Sequence, residues 1–157
     1  MREAKIEIRG VQEVQAAIRE YKGDITRSLK LIIDRAAIDS VSDIRRAIQG
    51  PPKTGIEYVR GKNNDKIHRA SAPGEAPATD TGTLVSSIYN EERSNRNRFL
   101  RVIGSRLQYA YYLEFGTRRM DKRPSWIPAV ERAIPKMLAN IRTAIANAKA
   151  RAEKKTK

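Results

Sequence analysis

The chain predicts an α+β fold: a small antiparallel sheet with N-terminal helices and a long C-terminal helix. Apolar residues recur at helical spacing on both sides of a structureless middle, and two short alternating segments flank a turn at 94–97, as in a hairpin. The length, 157 residues, suits one domain spanning 1–157.

Residues 4–9 alternate polar and apolar and predict a short half-buried strand ended by Gly10. Val11, Val14, Ala17, Ile18 and Tyr21 then predict a helix that stops at Gly23. Asp24 is placed to cap a second helix, because its carboxylate can accept first-turn N–H groups. Ile25, Leu29, Ile32, Ala36, Val41, Ile44 and Ile48 form the stripe of that helix, and Gly50-Pro51-Pro52 end it. A long loop is expected at about 51–82, where Pro, Gly, Ala, Thr and charge replace periodicity; loops of that length are usually functional or disordered. Within it, residues 58–60 and 66–69 fit the arms of a hairpin turning at 61–65.

Order resumes at Asp80-Thr81-Gly82-Thr83-Leu84, a cap and short helical turn leading into a strand at 86–91. A returning strand at 99–104 completes the antiparallel pair. An aromatic segment follows at 109–115, ended by Gly116. The last helix runs from about 127 to 149 or beyond, with Pro128 tolerated in its first turn and Pro135 expected to kink or restart it. Val130, Ile134, Leu138, Ile141 and Ile145 are its expected buried face, and residues 149–157 form a basic tail.

Composition narrows the function classes. Lys and Arg number 32 against 18 Asp and Glu, a net charge of +14, which points to an anionic partner or neighbour. Residues 1–49 hold 10 basic and 8 acidic residues, so most of the excess lies beyond them. The strongest core formers (17 Ile, 7 Leu, 7 Val, 2 Phe) make up about a fifth of the chain, close to the roughly 20% below which chains tend to stay disordered. Such a thin core is often completed by copies of the chain or by a partner, although an isolated basic domain with polar loops has the same composition. Cysteine is absent, which rules out disulfides, thiolate metal sites and a cysteine nucleophile. The longest apolar run is five residues, 109–113, so neither a membrane span nor a Sec-type signal is expected, and the chain reads as a soluble protein made in a reducing cytoplasm.

Catalytic chemistry finds little support. His68 is the only histidine, which excludes His-based metal clusters, and it is expected to be exposed. Gly50-Pro51-Pro52-Lys53-Thr54-Gly55 fails as a phosphate loop because its lysine precedes the second glycine and two prolines remove N–H donors. Glu91 and Glu92 are adjacent on a strand and point to opposite faces. Glu114, among aromatics, calls for a structural ion-pair partner such as Arg118 or Arg119. The expectation is therefore a non-enzyme with no catalytic residue, metal or cofactor. Nucleic-acid contact has more support: Arg93, Arg96, Arg98, Arg101 and Arg106 surround the hairpin, Arg118, Arg119, Lys122 and Arg123 follow the aromatic segment, and Lys154 and Lys155 lie in the tail. No motif that reads base sequence accompanies them. A nonspecific basic nucleic-acid-binding protein is thus one reading.

Two stretches are more distinctive. One runs Ser71-Ala72-Pro73-Gly74-Glu75-Ala76-Pro77-Ala78-Thr79-Asp80-Thr81-Gly82-Thr83-Leu84-Val85-Ser86-Ser87-Ile88, the other Tyr109-Ala110-Tyr111-Tyr112-Leu113-Glu114-Phe115-Gly116-Thr117 followed by Met120, Arg123-Pro124 and Ile127-Pro128-Ala129. In order and spacing they resemble the head–tail joining, or tail-completion, proteins of long-tailed bacteriophages, over residues 71–135 and more loosely over most of the chain. Ser125-Trp126 departs from the Phe-Leu pair common there. The resemblance implies a structural virion protein, assembled in the host cytoplasm, that forms a homo-oligomeric ring, sixfold to match a tail. Its place would be the neck, with the head connector or adaptor on one side and the tail terminator or tail tube on the other. Tail termination is the alternative role within the neck. A neck ring surrounds the genome's route, so Arg96, Arg98, Arg118, Arg119, Lys154 and Lys155 are candidates to face double-stranded DNA or acidic protein. The assembly candidates are Tyr109, Tyr112, Glu114, Phe115, Gly116, Thr117, Arg123, Pro124, Trp126 and Pro128. Gly116 can supply the positive φ that ends a helix, and Arg123-Pro124 and Pro128 set the approach to the last one. The aromatics offer contact area, either to the subunit's own core or to a subunit boundary. The long loop is expected to become ordered on gripping a neighbouring ring.

Overall fold

A computed structural model describes the backbone at residues 11–60, 66–95 and 98–155, and the side chains of these residues except 11–20, 60 and 155. The strand expected at 4–9, the turn at 61–65, Arg96 and the side chain of Lys155 lie outside the described residues.

The element order is α1 (Val11–Gln49), β1 (Glu57–Arg60), β2 (Lys66–Arg69), α2 (Thr83–Ser86), β3 (Ile88–Glu92), β4 (Arg101–Ser105), α3 (Gln108–Phe115) and α4 (Trp126–Lys155). The fold is α+β, with two separate two-stranded antiparallel sheets, β1–β2 and β3–β4. The chain divides into two compact units: Met1–Ile32 with Leu138–Lys157, and Ile33–Met137. In the first, Arg151 lies 3.9 Å from Asp24 and Ala148 is buried.

The expected break at Gly23 does not occur. A single glycine costs a helix about 1 kcal/mol relative to alanine, too little to interrupt 39 residues. Asp24 is not a cap; it lies 3.7 Å from Arg27 on the helix surface. The stop at Gly50-Pro51-Pro52 does occur, and Lys53 Nζ donates to the Ala47 carbonyl (2.8 Å), one of the acceptors the helix end leaves unpaired.

In the second unit Val41, Ile44 and Ile48 of α1, at i, i+3 and i+7, meet Leu84 of α2, Ile88 of β3, Ala110 of α3 and Ala129 of α4. Ile44 and Ile48 are the most completely buried of these large side chains. Across β3–β4, Tyr89 pairs with Gly104. A Cβ there would lie 2.6 Å from the tyrosine hydroxyl, so the glycine makes room for the ring. Arg101 on β4 binds Asp34 of α1 (Nε–Oδ1 2.6 Å) and reaches Glu92 at 3.5 Å, tying the sheet to the helix. Glu91 and Glu92 have different partners, Arg93 and Arg101 respectively.

Residues 51–82 are more ordered than a plain loop. The arms at 57–60 and 66–69 pair, with Tyr58 opposite His68 and Val59 opposite Ile67. Gly55 N–H to Ala70 O (3.1 Å) and Ala70 N–H to Ile56 O (2.9 Å) extend the ladder. His68 is not exposed as expected: it is half-buried, its Nδ1 3.7 Å from Asp80 Oδ1.

Helix α4 continues through Pro135, which lacks the N–H that would bond the Glu131 carbonyl, so Pro135 does not restart it. And the expected buried face is largely turned outward: Val130, Ile134, Leu138 and Ile145 are exposed and Ile141 is only half-buried. The inward residues are Trp126, Ala129, Ala133 and Met137, of which the two alanines offer little bulk between the helix and its neighbours.

Candidate assembly surface

The start of α4 is held by a carboxylate from another element. Glu114, on the inner face of α3 beside Ala110, is buried. Its Oε2 accepts the N–H groups of Ser125 (2.7 Å) and Trp126 (3.0 Å), and its Oε1 that of Ile127 (2.8 Å). The next residue, Pro128, has no N–H to satisfy. A helix start leaves its first N–H groups without internal acceptors and carries partial positive charge, so a buried anion there is well placed. The expected ion pair with Arg118 or Arg119 is therefore replaced by backbone amides, and both arginines are exposed.

Arg123 fastens the same region to the first distinctive stretch. Its N–H donates to Leu113 O (2.6 Å), and its Nε donates to the carbonyl of buried Ser71 (3.1 Å). Gly74 N–H, in turn, donates to Lys122 O (2.9 Å). Gly116 closes α3 with φ 81° and ψ 179°, a region essentially restricted to glycine, and a Cβ there would lie 2.9 Å from Met120 O. Thr117 and Met120 then pair across a tight turn with Arg118 and Arg119 at its tip. Glu114, Gly116 and Arg123 thus have bonding or conformational roles inside the subunit, while Thr117 is exposed and Pro124 and Pro128 are half-buried.

Glu75 adds a second anion-centred clasp. It accepts Thr54 Oγ1 (2.6 Å), Thr54 N–H (3.1 Å) and Ala72 N–H (2.9 Å), and these bonds, the hydroxyl's foremost, hold its carboxyl at about 2 against an ordinary 4.5. A depressed carboxyl pKa contributes stability that is fully present above the unfolded value and is lost as pH falls through the folded one. The clasp between residues 54 and 72–75 is therefore expected to hold at pH 4 and release near pH 2. A carboxyl-carbon NMR titration of Glu75 with its midpoint above 3.5 would contradict this.

With the scaffold fixed, the outer face of α3 presents aromatics to solvent. Tyr109, Tyr111, Tyr112 and Phe115 are 44%, 63%, 41% and 57% exposed. Tyr111 packs against Phe115, one helical turn on, with ring centroids 4.7 Å apart and the planes tilted by 43°, and meets Tyr112 edge-on at 6.0 Å. Ile127, Val130 and Ile134 of α4 are exposed as well. Of the proposed contact aromatics, Tyr109, Tyr112 and Phe115 lie on this surface, whereas Trp126 packs against the core. Between the end of β4, α3 and the start of α4 runs a groove of about 730 Å³ lined by Ile103, Leu107, Tyr111, Phe115, Trp126 and Ile127.

Tyr111, Ile127, Val130 and Ile134 were not among the candidates. The signal that separates them is the parallel row of alanines in α4, which marks the inward face and leaves the larger residues outside. Of the basic candidates, Arg98, Arg118, Arg119 and Lys154 are exposed. Among the described residues, no group of three His, Cys, Asp or Glu side chains is placed to hold a metal, and no helix is long and apolar enough to cross a membrane. No family model, curated protein or solved structure matches the chain.

Proposed function

We propose that this protein is a structural subunit that acts by assembly: it closes into a ring, six copies around, in the neck of a long-tailed phage, joining the tail to the head connector. The observation that carries the reading is the exposed aromatic surface of α3 with Ile127, Val130 and Ile134 of α4, displayed by a scaffold in which both distinctive stretches are bonded together. Large exposed apolar patches mark interaction sites, and a side chain as costly to expose as Tyr111 or Phe115 is best explained by a partner that covers it. Native mass spectrometry and electron microscopy, alone and with the connector and tail-tube proteins of the same virion, are expected to find a single closed stoichiometry. Monomers persisting in both conditions would overturn the proposal. Within the neck, tail completion and tail termination are told apart by whether the ring binds the connector or caps the tube.

A second reading, nonspecific contact with duplex DNA, draws on Arg118 and Arg119, which stand at the tip of the Thr117–Met120 turn and form no ion pair with a described carboxylate. Each phosphate contact contributes about 0.9 to the slope of log affinity against log salt. Removing both, as Arg118→Ala with Arg119→Ala, is expected to lower that slope by about 2 in a mobility-shift titration. An unchanged slope would take these residues out of any DNA path.

A further inference from the structure

Resting on the reading of α3 and the start of α4 as an assembly surface, we infer that the outer edge of β4 takes an added strand from another protein. That strand is an extended segment, apolar at alternate positions, with a carboxylate placed to meet Arg106. The contact does not require the ring, because main-chain bonds to an open sheet edge need only a partner strand.

The ladder shows which main-chain groups are open. In an antiparallel pair, residues alternate between bonding their partner and turning N–H and C=O away from it. Asn95 and Arg98 exchange two bonds (2.9 and 3.3 Å), and Arg93 N–H donates to Leu100 O (2.9 Å). The same register continues through β3–β4 without a bulge, so Val102 and Gly104 bond β3 while Arg101, Ile103 and Ser105 turn outward. The opposite edge obeys the same alternation: Ile88, across from Ser105, offers its carbonyl to Arg45 of α1 (3.3 Å). The β3 edge is thus partly covered, whereas no bond from another described residue reaches the outward main chain of Ile103 or Ser105.

An open edge is a template for another strand, and proteins usually blunt it with charge, proline or a bulge. The strands β1 and β2 carry Glu57, Arg60, Lys66 and Arg69. Residues 102–105 of β4 carry neither charge nor proline. Beside them runs the groove of about 730 Å³, in which Ile103 and Ser105 themselves join Leu107, Tyr111, Phe115 and Trp126. Strand addition uses both features: main-chain bonds supply affinity, and alternate side chains of the incoming strand enter the apolar lining.

Charge selects the occupant. In a chain that is 32% charged, the groove lining holds only two charged side chains, Arg106 and Glu114. Glu114 is engaged by three backbone amides. Arg106 is exposed and forms no ion pair with a described carboxylate, so an acidic residue on the incoming strand complements it. A second copy is a poor source of that strand. The chain carries a net charge of +14, and β1 and β2 together set Arg60, Lys66 and Arg69 against Glu57 alone.

A random twelve-residue peptide library, panned against the full chain, is the probe. The expected winners carry β-branched or aromatic residues at alternate positions and Asp or Glu towards one end. Hydrogen exchange read by NMR then examines the edge. In the dilute protein the Val102 and Gly104 amides are expected to be protected and those of Ile103 and Ser105 to exchange readily. A selected peptide is expected to slow the second pair about 100-fold. Arg106→Glu is expected to weaken that peptide about 10-fold while leaving the melting temperature unchanged. A library without a binder, a binder that leaves both amides fast, or amides already slow in the dilute protein would each overturn the proposal. None of these results touches the assembly reading, which native mass spectrometry tests separately. Protection that grows with the protein's own concentration, without peptide, would assign the edge to a second copy and overturn the choice of partner.

Discussion

Glu114→Ala is expected to destabilise the protein by about 3–4 kcal/mol, from loss of a helix cap at about 1–2 kcal/mol and from buried amides left unpaired. For a domain of this size, that lowers the melting temperature by about 10 °C. Glu114→Gln keeps the shape and one acceptor but turns an NH2 group toward amide donors, and about 2 kcal/mol should be lost. Thermal and urea unfolding measure both. A loss below about 1 kcal/mol for the alanine variant would mean that water replaces the carboxylate, and that the three short bonds to Ser125, Trp126 and Ile127 do not secure the α3–α4 junction.

Tyr111→Ser combined with Phe115→Ser is expected to do the reverse, sparing the fold and abolishing the proposed ring. Both side chains are more than half exposed in the single chain, so the unfolding free energy should change by no more than about 1 kcal/mol. Interface anchors of this type contribute about 2 kcal/mol or more each, so the pair should weaken association about 1,000-fold. Sedimentation velocity with parallel melting curves reads both effects. If stability fell as far as association, the aromatics would belong to the subunit's core, the other role their composition allowed.

The contrast between these two residue sets shows what sequence could convey. The α+β class, the stop at Gly50-Pro51-Pro52, the β3–β4 hairpin and the helix-ending role of Gly116 follow from local rules, and local rules suffice there. Gly23 misled because a glycine is a weak helix breaker whose effect depends on the length of helix around it. The outward face of α4 misled for a different reason: periodicity finds an apolar stripe, but the helix has two, and only the row at Ala129 and Ala133 reveals which packs inward. Glu114 reads from the sequence as a carboxylate among aromatics that needs a partner. That the partner is the backbone at 125–127 is a tertiary fact, since a donor eleven residues away leaves no mark in spacing. The scaffold role of Arg123 was equally hidden, because its acceptor, Ser71 O, is 52 residues distant.

Those distances also set an order of events at the ribosome. Nascent chains emerge at about 5–20 residues per second and fold as their contacts become available. The carboxylate on α3 finds no amide to bind until Ile127 has left the exit tunnel, and Ser71 waits just as long for Arg123. A chain cut short of residue 127 therefore lacks the buried cap that fixes α3 against the start of α4, and the exposed aromatics of α3 and the apolar residues of α4 are not yet held side by side.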